Sequence, residues 1–112
     1  MVRPPYGVRT PAYFRVTRAL GLQTVQWDVA GFDWKRITPK QIADHVLRRA
    51  QPGSIILLHD GDSTGKHDRK NTVEALPLII KGLRDRDLQI APLSQLLPEK
   101  IYDPTEGRLI YD

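Results

Sequence analysis

A run of four bulky apolar residues, Ile55–Leu58, most constrains the fold of this chain, and it ends directly on His59 and Asp60. The run does not alternate with polar residues, which is typical of a strand buried on both faces of a parallel sheet. Parallel strands require long crossover connections, usually helices, and the functional side chains of such sheets follow the carboxyl ends of the strands. We therefore predict a strand over Ser54–His59 in a parallel α/β fold, with its functional edge at His59.

Helices are predicted on both sides of this strand, over Thr10–Gly21, Thr38–Ala50 and Asn71–Leu83. Each begins with a capping residue, and the second and third have a Gln or Glu three residues later, as in a capping box. The residues predicted to face the core are Tyr13, Phe14, Val16, Thr17 and Leu20 in the first helix, Ile42, Ala43, Val46, Leu47 and Ala50 in the second, and Val73, Leu76, Ile79, Ile80 and Leu83 in the third.

The remaining segments are shorter. We predict strands over Leu22–Trp27 and Leu88–Ala91, a turn over Ala30–Trp34 and one helical turn over Ser94–Leu97. The tail, residues 99–112, contains a turn at Pro104–Gly107 that is compatible either with a hairpin or with an unpaired segment. Helices alternating with strands again indicate crossover units around a parallel sheet.

Composition excludes several classes of protein. The 112 residues, 40% hydrophobic and 27% charged, have the composition of one small globular domain rather than of a disordered or coiled-coil chain. The absence of cysteine excludes disulfides, thiolate nucleophiles and cysteine-ligated zinc. No apolar run approaches the roughly 20 residues of a membrane span. The net charge of +4 is spread among interleaved acids and bases without an aromatic platform, so nucleic-acid binding is not expected.

Three polar features are candidates for a site. His59 at a strand end suits a proton donor at neutral pH, although a strand-end histidine that only contacts solvent is an equal alternative. Asp33 and Trp34 could orient its imidazole with a carboxylate and an apolar wall, or could be a turn aspartate beside a buried tryptophan. Arg3–Gly7 could present a guanidinium and a backbone N–H to a site, or could be a frayed terminus.

Three segments in this order, Arg3–Gly7, Trp27–Trp34 and Ile55–Asp60, resemble the third, fourth and fifth motifs of the polysaccharide deacetylase family, carbohydrate esterase family 4. The similarity continues at Thr72–Leu76 and Leu93–Leu97. The resemblance implies the C-terminal half of a distorted (β/α) barrel, with residues 1–98 as a partial deacetylase domain and residues 99–112 as a tail. It also implies hydrolysis of an N- or O-acetyl group on an acetylated carbohydrate, assisted in the intact domain by a divalent metal, zinc.

The resemblance assigns roles residue by residue. His59 would be the general acid, and Asp33 would tune it. Arg3 would orient a catalytic-base aspartate, and the backbone N–H of Tyr6 would help to bind the oxyanion. Leu57 and Trp34 would line the substrate pocket.

One departure from the family pattern concerns the metal. The family's base and metal ligands come from its first two motifs, which precede the arginine segment, and here only Met1 and Val2 precede Arg3. We therefore expect a fragment that binds no metal tightly on its own. Asp60–Gly65 is similar to the start of a calcium loop, but Asn71 at the twelfth position is not the bidentate glutamate such a loop needs, so a solvated loop is favoured.

These expectations leave two functions open: a deacetylase fragment, or a non-catalytic remnant that binds carbohydrate or a partner chain through the same cleft. The expected partners are the missing N-terminal half or, through an exposed sheet edge, another copy of the chain. The resemblance suggests a bacterial cell-envelope or secreted protein, with a cytoplasmic one as the alternative because no secretory signal is present in the sequence.

Overall fold

The computed structural model describes residues 1–97, 100–103 and 108–111, in which helices alternate with short strands. The elements are a 3₁₀ turn at Pro5–Gly7, α1 at Pro11–Ala19, β1 at Val29–Ala30, α2 at Pro39–Leu47, β2 at Ile56–Leu57, α3 at Lys70–Arg84, α4 at Leu93–Leu96, β3 at Lys100–Asp103 and β4 at Arg108–Tyr111. β1 and β2 pair in parallel, while β3 and β4 form an antiparallel pair. The predicted α/β class with parallel strands is therefore confirmed.

The parallel pair involves a different first strand from the predicted one. Leu22–Trp27 makes only an isolated bridge, between Val2 and Thr24, and the strand lies at β1 instead. The reason is the lack of a partner strand: Val25 in this segment is buried, but among the described residues only Val2 pairs with it as in a ladder. The predicted turn over Ala30–Trp34 therefore starts too early, because Ala30 still pairs with Leu57.

The hydrophobic core lies between β1, α2 and α3. α2 starts with the predicted capping box: Thr38 Oγ1 accepts the Gln41 backbone N–H at 3.2 Å, and Gln41 Oε1 accepts the Thr38 N–H at 2.9 Å. The guanidinium of Arg86, beyond α3, donates to the carbonyls of Leu47 and Ala50 at the end of α2. The buried core residues are Val29, Ile42, Ala43, Val46, Ala50, Ala75, Ile79 and Leu83.

The buried face of α3 matches the predicted one only in part, at Ile79 and Leu83. Its buried residues are Thr72, Ala75, Ile79 and Leu83, whereas Val73 and Leu76 are 68% and 45% exposed. The N-cap of the helix is Arg69, two residues before the predicted cap Asn71. The Asn71 side-chain amide instead donates to the Ile37 carbonyl at 2.9 Å. The small Ala75 is fully buried in the core cluster that includes the residues of α2, so packing overrides the choice that hydrophobicity alone suggests.

Two other predictions differ from the structure. α1 is capped by Thr10 as predicted, but only Thr17 on its predicted inner face is buried, and Phe14 and Leu20 are exposed. Within residues 1–97, Leu88–Ala91 is not a strand. The helical turn near Ser94 is confirmed as α4. In the tail, β3 and β4 form the antiparallel pair. The predicted turn at Pro104–Gly107 lies outside the described residues. The division of the chain at residue 98 stays a prediction.

No helix in the described part of the chain is both long and apolar enough to cross a membrane.

Candidate active site at the carboxyl ends of the parallel strands

The chain leaves β1 and β2 at the same edge of the parallel pair, which brings Asp33 close to His59. The ladder continues past the strands, because the Gly31 N–H donates to the Leu57 carbonyl at 3.3 Å. A Cβ at Gly31 would lie 2.6 Å from a methyl carbon of Leu58. A side chain at this position would therefore force the Leu58 side chain to move and would crowd Ile42.

Asp33 carries a buried carboxylate that is fully used as a hydrogen-bond acceptor. Its Oδ1 lies 2.8 Å from Nδ1 of His59, and its Oδ2 accepts the His59 backbone N–H at 2.7 Å and the Thr72 hydroxyl at 3.0 Å. The Asp33 side chain is 0% exposed, while that of His59 is 35% exposed. A buried charge requires such donors, and a carboxylate on Nδ1 directs Nε2 of the ring toward any ligand.

Trp34 forms a wall beside the imidazole. Its ring centroid is 5.5 Å from that of His59 at an interplanar angle of 82°, and its other neighbour, Phe32, is 5.3 Å away. Trp34 is 47% exposed, so the wall is open to solvent on one side. Phe32 has a φ of 54°, in the left-handed region that a bulky residue rarely adopts. This conformation lies between β1 and Asp33, where the chain turns toward His59.

Two residues of the α3 entrance complete the site, and the sequence analysis gave neither of them a role in it. Thr72 supplies the buried hydroxyl on Asp33. Arg69 ties the two strand-end loops together, because its Nε donates to the Gly61 carbonyl at 3.0 Å and its Nη1 to the Asp33 carbonyl at 3.1 Å. In a parallel sheet, functional residues lie at the carboxyl ends of the strands, and the helix after β2 starts there. This rule could have pointed to the first turn of α3.

The loop between β2 and α3 is closed by its own hydrogen bonds. Asp62 accepts the backbone N–H and hydroxyl of Thr64 at 2.6 and 2.5 Å, and the His67 N–H at 2.9 Å. The Thr64 hydroxyl, followed by backbone N–H groups, lowers the pKa of Asp62 to about 2 against the opposing effect of desolvation. The carboxylate thus serves the loop itself.

The contacts of Arg3 and Tyr6 given by the structure do not include Asp33, Trp34 or His59. The Arg3 Nε donates to the Val25 carbonyl at 3.2 Å, and its guanidinium lies 5.6 Å from the Trp27 ring centre. Tyr6 is 86% exposed in the 3₁₀ turn, with a φ of 56°. Leu57 is buried in β2. The structure thus brings Asp33, Trp34 and His59 together, and the roles assigned to Arg3, Tyr6 and Leu57 stay predictions.

The implied metal has no ligand set in this part of the chain. Among the residues that the structure describes, no three His, Asp or Glu side chains cluster as metal ligands would. The one close pairing at the sheet edge, Asp33 with His59, is a hydrogen bond between two side chains, and Thr72 occupies the remaining carboxylate oxygen. The described residues therefore do not fit the metal, and no step below depends on one.

Together, the parallel strands and the histidine–carboxylate pair at their carboxyl edge define an α/β protein with a candidate acid–base site. The chitooligosaccharide deacetylase of Bradyrhizobium sp. is 37% identical to this chain over 102 residues, which are 85% of this chain and 47% of that protein. A solved peptidoglycan N-acetylglucosamine deacetylase, Bc1960, matches with a TM-score of 0.75 and 32% identity over 85% of this chain and 43% of its own. No family model matches the sequence.

A second similar solved structure is that of a carbohydrate esterase family 4 pseudoenzyme from Bacillus anthracis. It matches with a TM-score of 0.72 and 28% identity, over 87% of this chain and 32% of its own. The chain spans about half the length of the curated relatives that it matches. By sequence and structure, this chain therefore matches a segment of proteins named as chitooligosaccharide and peptidoglycan deacetylases and of a family 4 carbohydrate esterase from Streptomyces lividans.

Proposed function

We propose that this chain contributes the proton-donor side of a hydrolase that removes an acetyl group from an acetylated carbohydrate. The observation that carries the proposal is the 2.8 Å contact between His59 Nδ1 and Asp33 Oδ1, with the imidazole partly exposed beside Trp34. Relatives and solved structures that share this segment are named as chitooligosaccharide and peptidoglycan deacetylases. A histidine held in this way is suited to general acid catalysis.

In this mechanism, His59 acts when the tetrahedral intermediate collapses. The Asp33 carboxylate accepts a hydrogen bond from Nδ1–H, so the imidazolium form of His59 presents Nε2–H to the substrate. The Nε2 proton moves to the leaving nitrogen or oxygen as its bond to the acetyl carbon breaks. The ring is left neutral and takes up a new proton from solvent. Trp34 and Leu57 would form the apolar side of the pocket around the acetyl group and the sugar ring.

The proposal requires a second segment that pairs with this one. The motifs that the resemblance assigns to the base and the metal are not found in residues 3–97. Arg3 would then orient the base carried by that segment, and the Tyr6 backbone N–H would face the developing oxyanion. The same pairing would cover the unpaired side of the outer strand, whose free backbone groups would otherwise favour self-association of the chain.

A second candidate function is a carbohydrate-binding module without turnover. It is favoured by the pseudoenzyme among the solved structures, which matches this chain with a TM-score of 0.72. An exposed tryptophan beside a histidine can hold a sugar ring without any chemistry. The two candidates differ in one measurable property, which is hydrolysis after the second segment is supplied.

The test is co-expression of this chain with the remaining segment of the Bradyrhizobium deacetylase, followed by assay of an acetylated chitooligosaccharide. We expect turnover, and His59→Ala should lower kcat by roughly 100-fold or more with unchanged metal content, as is typical for loss of a positioned acid. His45→Ala is the control, because His45 lies on α2 and contacts Phe32 rather than Asp33.

The pH profile separates the two roles. His59→Ala should remove the alkaline limb, whereas Arg3→Ala should disturb the acidic limb, because one variant loses the acid and the other misplaces the base. Near-normal turnover with both limbs intact in His59→Ala would contradict the assignment of the acid. Sugar binding without turnover in the restored protein would support the binding module instead.

A further inference from the structure

A cleft of about 640 Å³ opens next to the His59 site, between the loop after β1 and the entrance of α3. It shares two residues with the site, because Asp33 and Trp34 line the cleft and also contact His59. A molecule that fills the cleft would therefore touch two residues that also contact the imidazole. None of the roles proposed above uses the rest of this cleft.

The cleft is strongly cationic. Five basic side chains line it, namely those of Lys35, Arg36, Lys66, Arg69 and Lys70. Its two carboxylates, on Asp33 and Asp68, already accept hydrogen bonds, from His59 and Thr72 in the first case and from the Lys70 backbone N–H at 3.1 Å in the second. Cations gathered in a concave surface focus their field on whatever enters it.

Among the residues that the structure describes, Lys70 is the one cleft cation that forms an ion pair. Lys70 lies 3.7 Å from Glu74 in an exposed pair, a contact of little energetic value. Lys35 Nζ lies 5.0 Å from the centre of the Phe32 ring rather than beside a carboxylate. Arg36 and Lys66 are exposed at the edge of the cleft. The charge of the cleft is thus available to a ligand.

Arg69 gives the cleft a cation that is fixed in place. Its Nε and Nη1 are held by the Gly61 and Asp33 carbonyls, and neither bond uses Nη2. A guanidinium that is already immobilised loses little further entropy when it binds a planar or tetrahedral anion, which makes it a better anion ligand than a free lysine.

We propose that this basic cleft, lined by Lys35, Arg36, Lys66, Arg69 and Lys70, binds a carboxylate or phosphate group of the carbohydrate at the His59 site. The inference rests on the proposed function and narrows its substrate to an anionic acetylated glycan. A neutral oligosaccharide would offer no anionic group to these five cations. An acidic substituent on the reacting sugar or on its neighbour would reach them while the acetyl group lies beside His59 and Trp34.

The test is binding by the 112-residue chain, measured by calorimetry and by the Trp34 indole N–H resonance, with three probes. N-acetylglucosamine is neutral, N-acetylmuramic acid adds a carboxylate, and N-acetylglucosamine 6-phosphate adds a phosphate. We expect at least one acidic sugar to bind about tenfold more tightly than the neutral one at low salt, with the difference shrinking as salt rises. Whichever acidic sugar binds more tightly identifies the anion.

A matched pair of triple variants tests the location. Lys35→Gln with Arg36→Gln and Lys66→Gln should remove the tenfold preference. The control set, Arg15→Gln, Arg18→Gln and Arg49→Gln, lowers the net charge equally at exposed positions outside the cleft, and should keep it. Equal affinity for all three sugars, or equal loss in both variant sets, would overturn the inference.

The outcome is distinguishable from that of the proposed function. A cleft-dependent preference for acidic sugars in a chain that shows no turnover after the second segment is restored would support this inference and contradict the deacetylase. Restored turnover of a neutral chitooligosaccharide at the same kcat/KM as an acidic one, unchanged in the cleft variant, would support the deacetylase and overturn the anionic substrate.

Discussion

His59 is held by Asp33 at two points: its Nδ1 lies 2.8 Å from Asp33 Oδ1, and its backbone N–H donates to Asp33 Oδ2 at 2.7 Å. One buried carboxylate thus fixes both the ring of His59 and the backbone that carries it. Because the two residues follow neighbouring parallel strands, the same contact also ties together the ends of those strands. The position of the imidazole is therefore a property of the sheet edge and not of a mobile loop.

The first prediction concerns Asp33→Asn. The amide keeps one acceptor oxygen but places an NH₂ group against donors, so at least one of the three buried bonds is lost. We expect the free energy of unfolding to fall by about 1–3 kcal/mol, the cost of leaving a buried polar group unsatisfied. Chemical denaturation measures this change. Asp60→Asn, at an exposed carboxylate one residue beyond His59, should change stability little, and equal effects of both variants would contradict the account.

The second prediction concerns Thr72→Val, which preserves shape and removes the hydroxyl that donates to Asp33 at 3.0 Å. Stability should fall by about 1 kcal/mol, and the His59 ring resonances should shift because the carboxylate loses one of its constraints. Thr17→Val is the matched control, because Thr17 is 7% exposed and Thr72 is 8% exposed. The Thr17 hydroxyl donates to the Phe14 carbonyl and not to Asp33. A shift of His59 in both variants would show that the effect is not local.

Much of this arrangement could be predicted from sequence, because local rules determine it. The caps at Thr10 and Thr38 and a strand before His59 follow from residue type and spacing, and all three are present. The strand is shorter than predicted, at Ile56–Leu57, and Ile56 is only half-buried. The site pair Asp33 and His59 followed from the rule that parallel strands place polar residues at one edge. The 2.8 Å contact between their side chains agrees with that interpretation.

The errors came where tertiary packing decides. Hydrophobicity selected Val73 and Leu76 for the inner face of α3, but the small residues Thr72 and Ala75 are buried there instead. For the same reason the role of Thr72 was missed. The sequence of a helix does not show that a carboxylate from a distant segment, here Asp33, lies next to its threonine. The strand predicted over Leu22–Trp27 was wrong for a similar reason. The segment has β-forming residues, but among the described residues its backbone forms a bridge only with Val2.

The third prediction concerns Gly31→Ala. A Cβ there would approach Leu58 Cδ2 to 2.6 Å and Ile42 Cγ2 to 3.1 Å, so these two side chains must repack. We expect a loss of about 1–3 kcal/mol, typical of overpacking, together with a displaced His59 resonance. Gly61→Ala is the control, because its Cβ would meet nothing within 4 Å. Comparable stability of the two variants in thermal unfolding would contradict the close approach.

The fourth prediction concerns acid. The pKa of Asp62 is about 2 in the folded chain against an ordinary 3.8, so its ionised form is favoured by folding. Its contribution is therefore fully present above about pH 4 and is lost as the pH falls toward 2, because the unfolded chain binds more protons in that window. Titration of the Thr64 and His67 amide resonances should follow this pKa. Thr64→Val should move the midpoint back toward 3.8, and an unchanged midpoint would show that the Thr64 hydroxyl is not the cause.

The last prediction concerns metal and activity in the isolated chain. A protein zinc site uses at least three protein ligands, and the described residues offer no cluster of three ligating side chains. The 112-residue chain should therefore bind zinc only weakly and should hydrolyse no acetylated chitooligosaccharide, whereas the protein restored with a second segment should do both. Calorimetric titration with zinc and a parallel assay of acetate release measure the two properties together. Stoichiometric binding at micromolar affinity with turnover would contradict the prediction, and its loss in His67→Ala would then locate the ligands near the loop that carries Asp62.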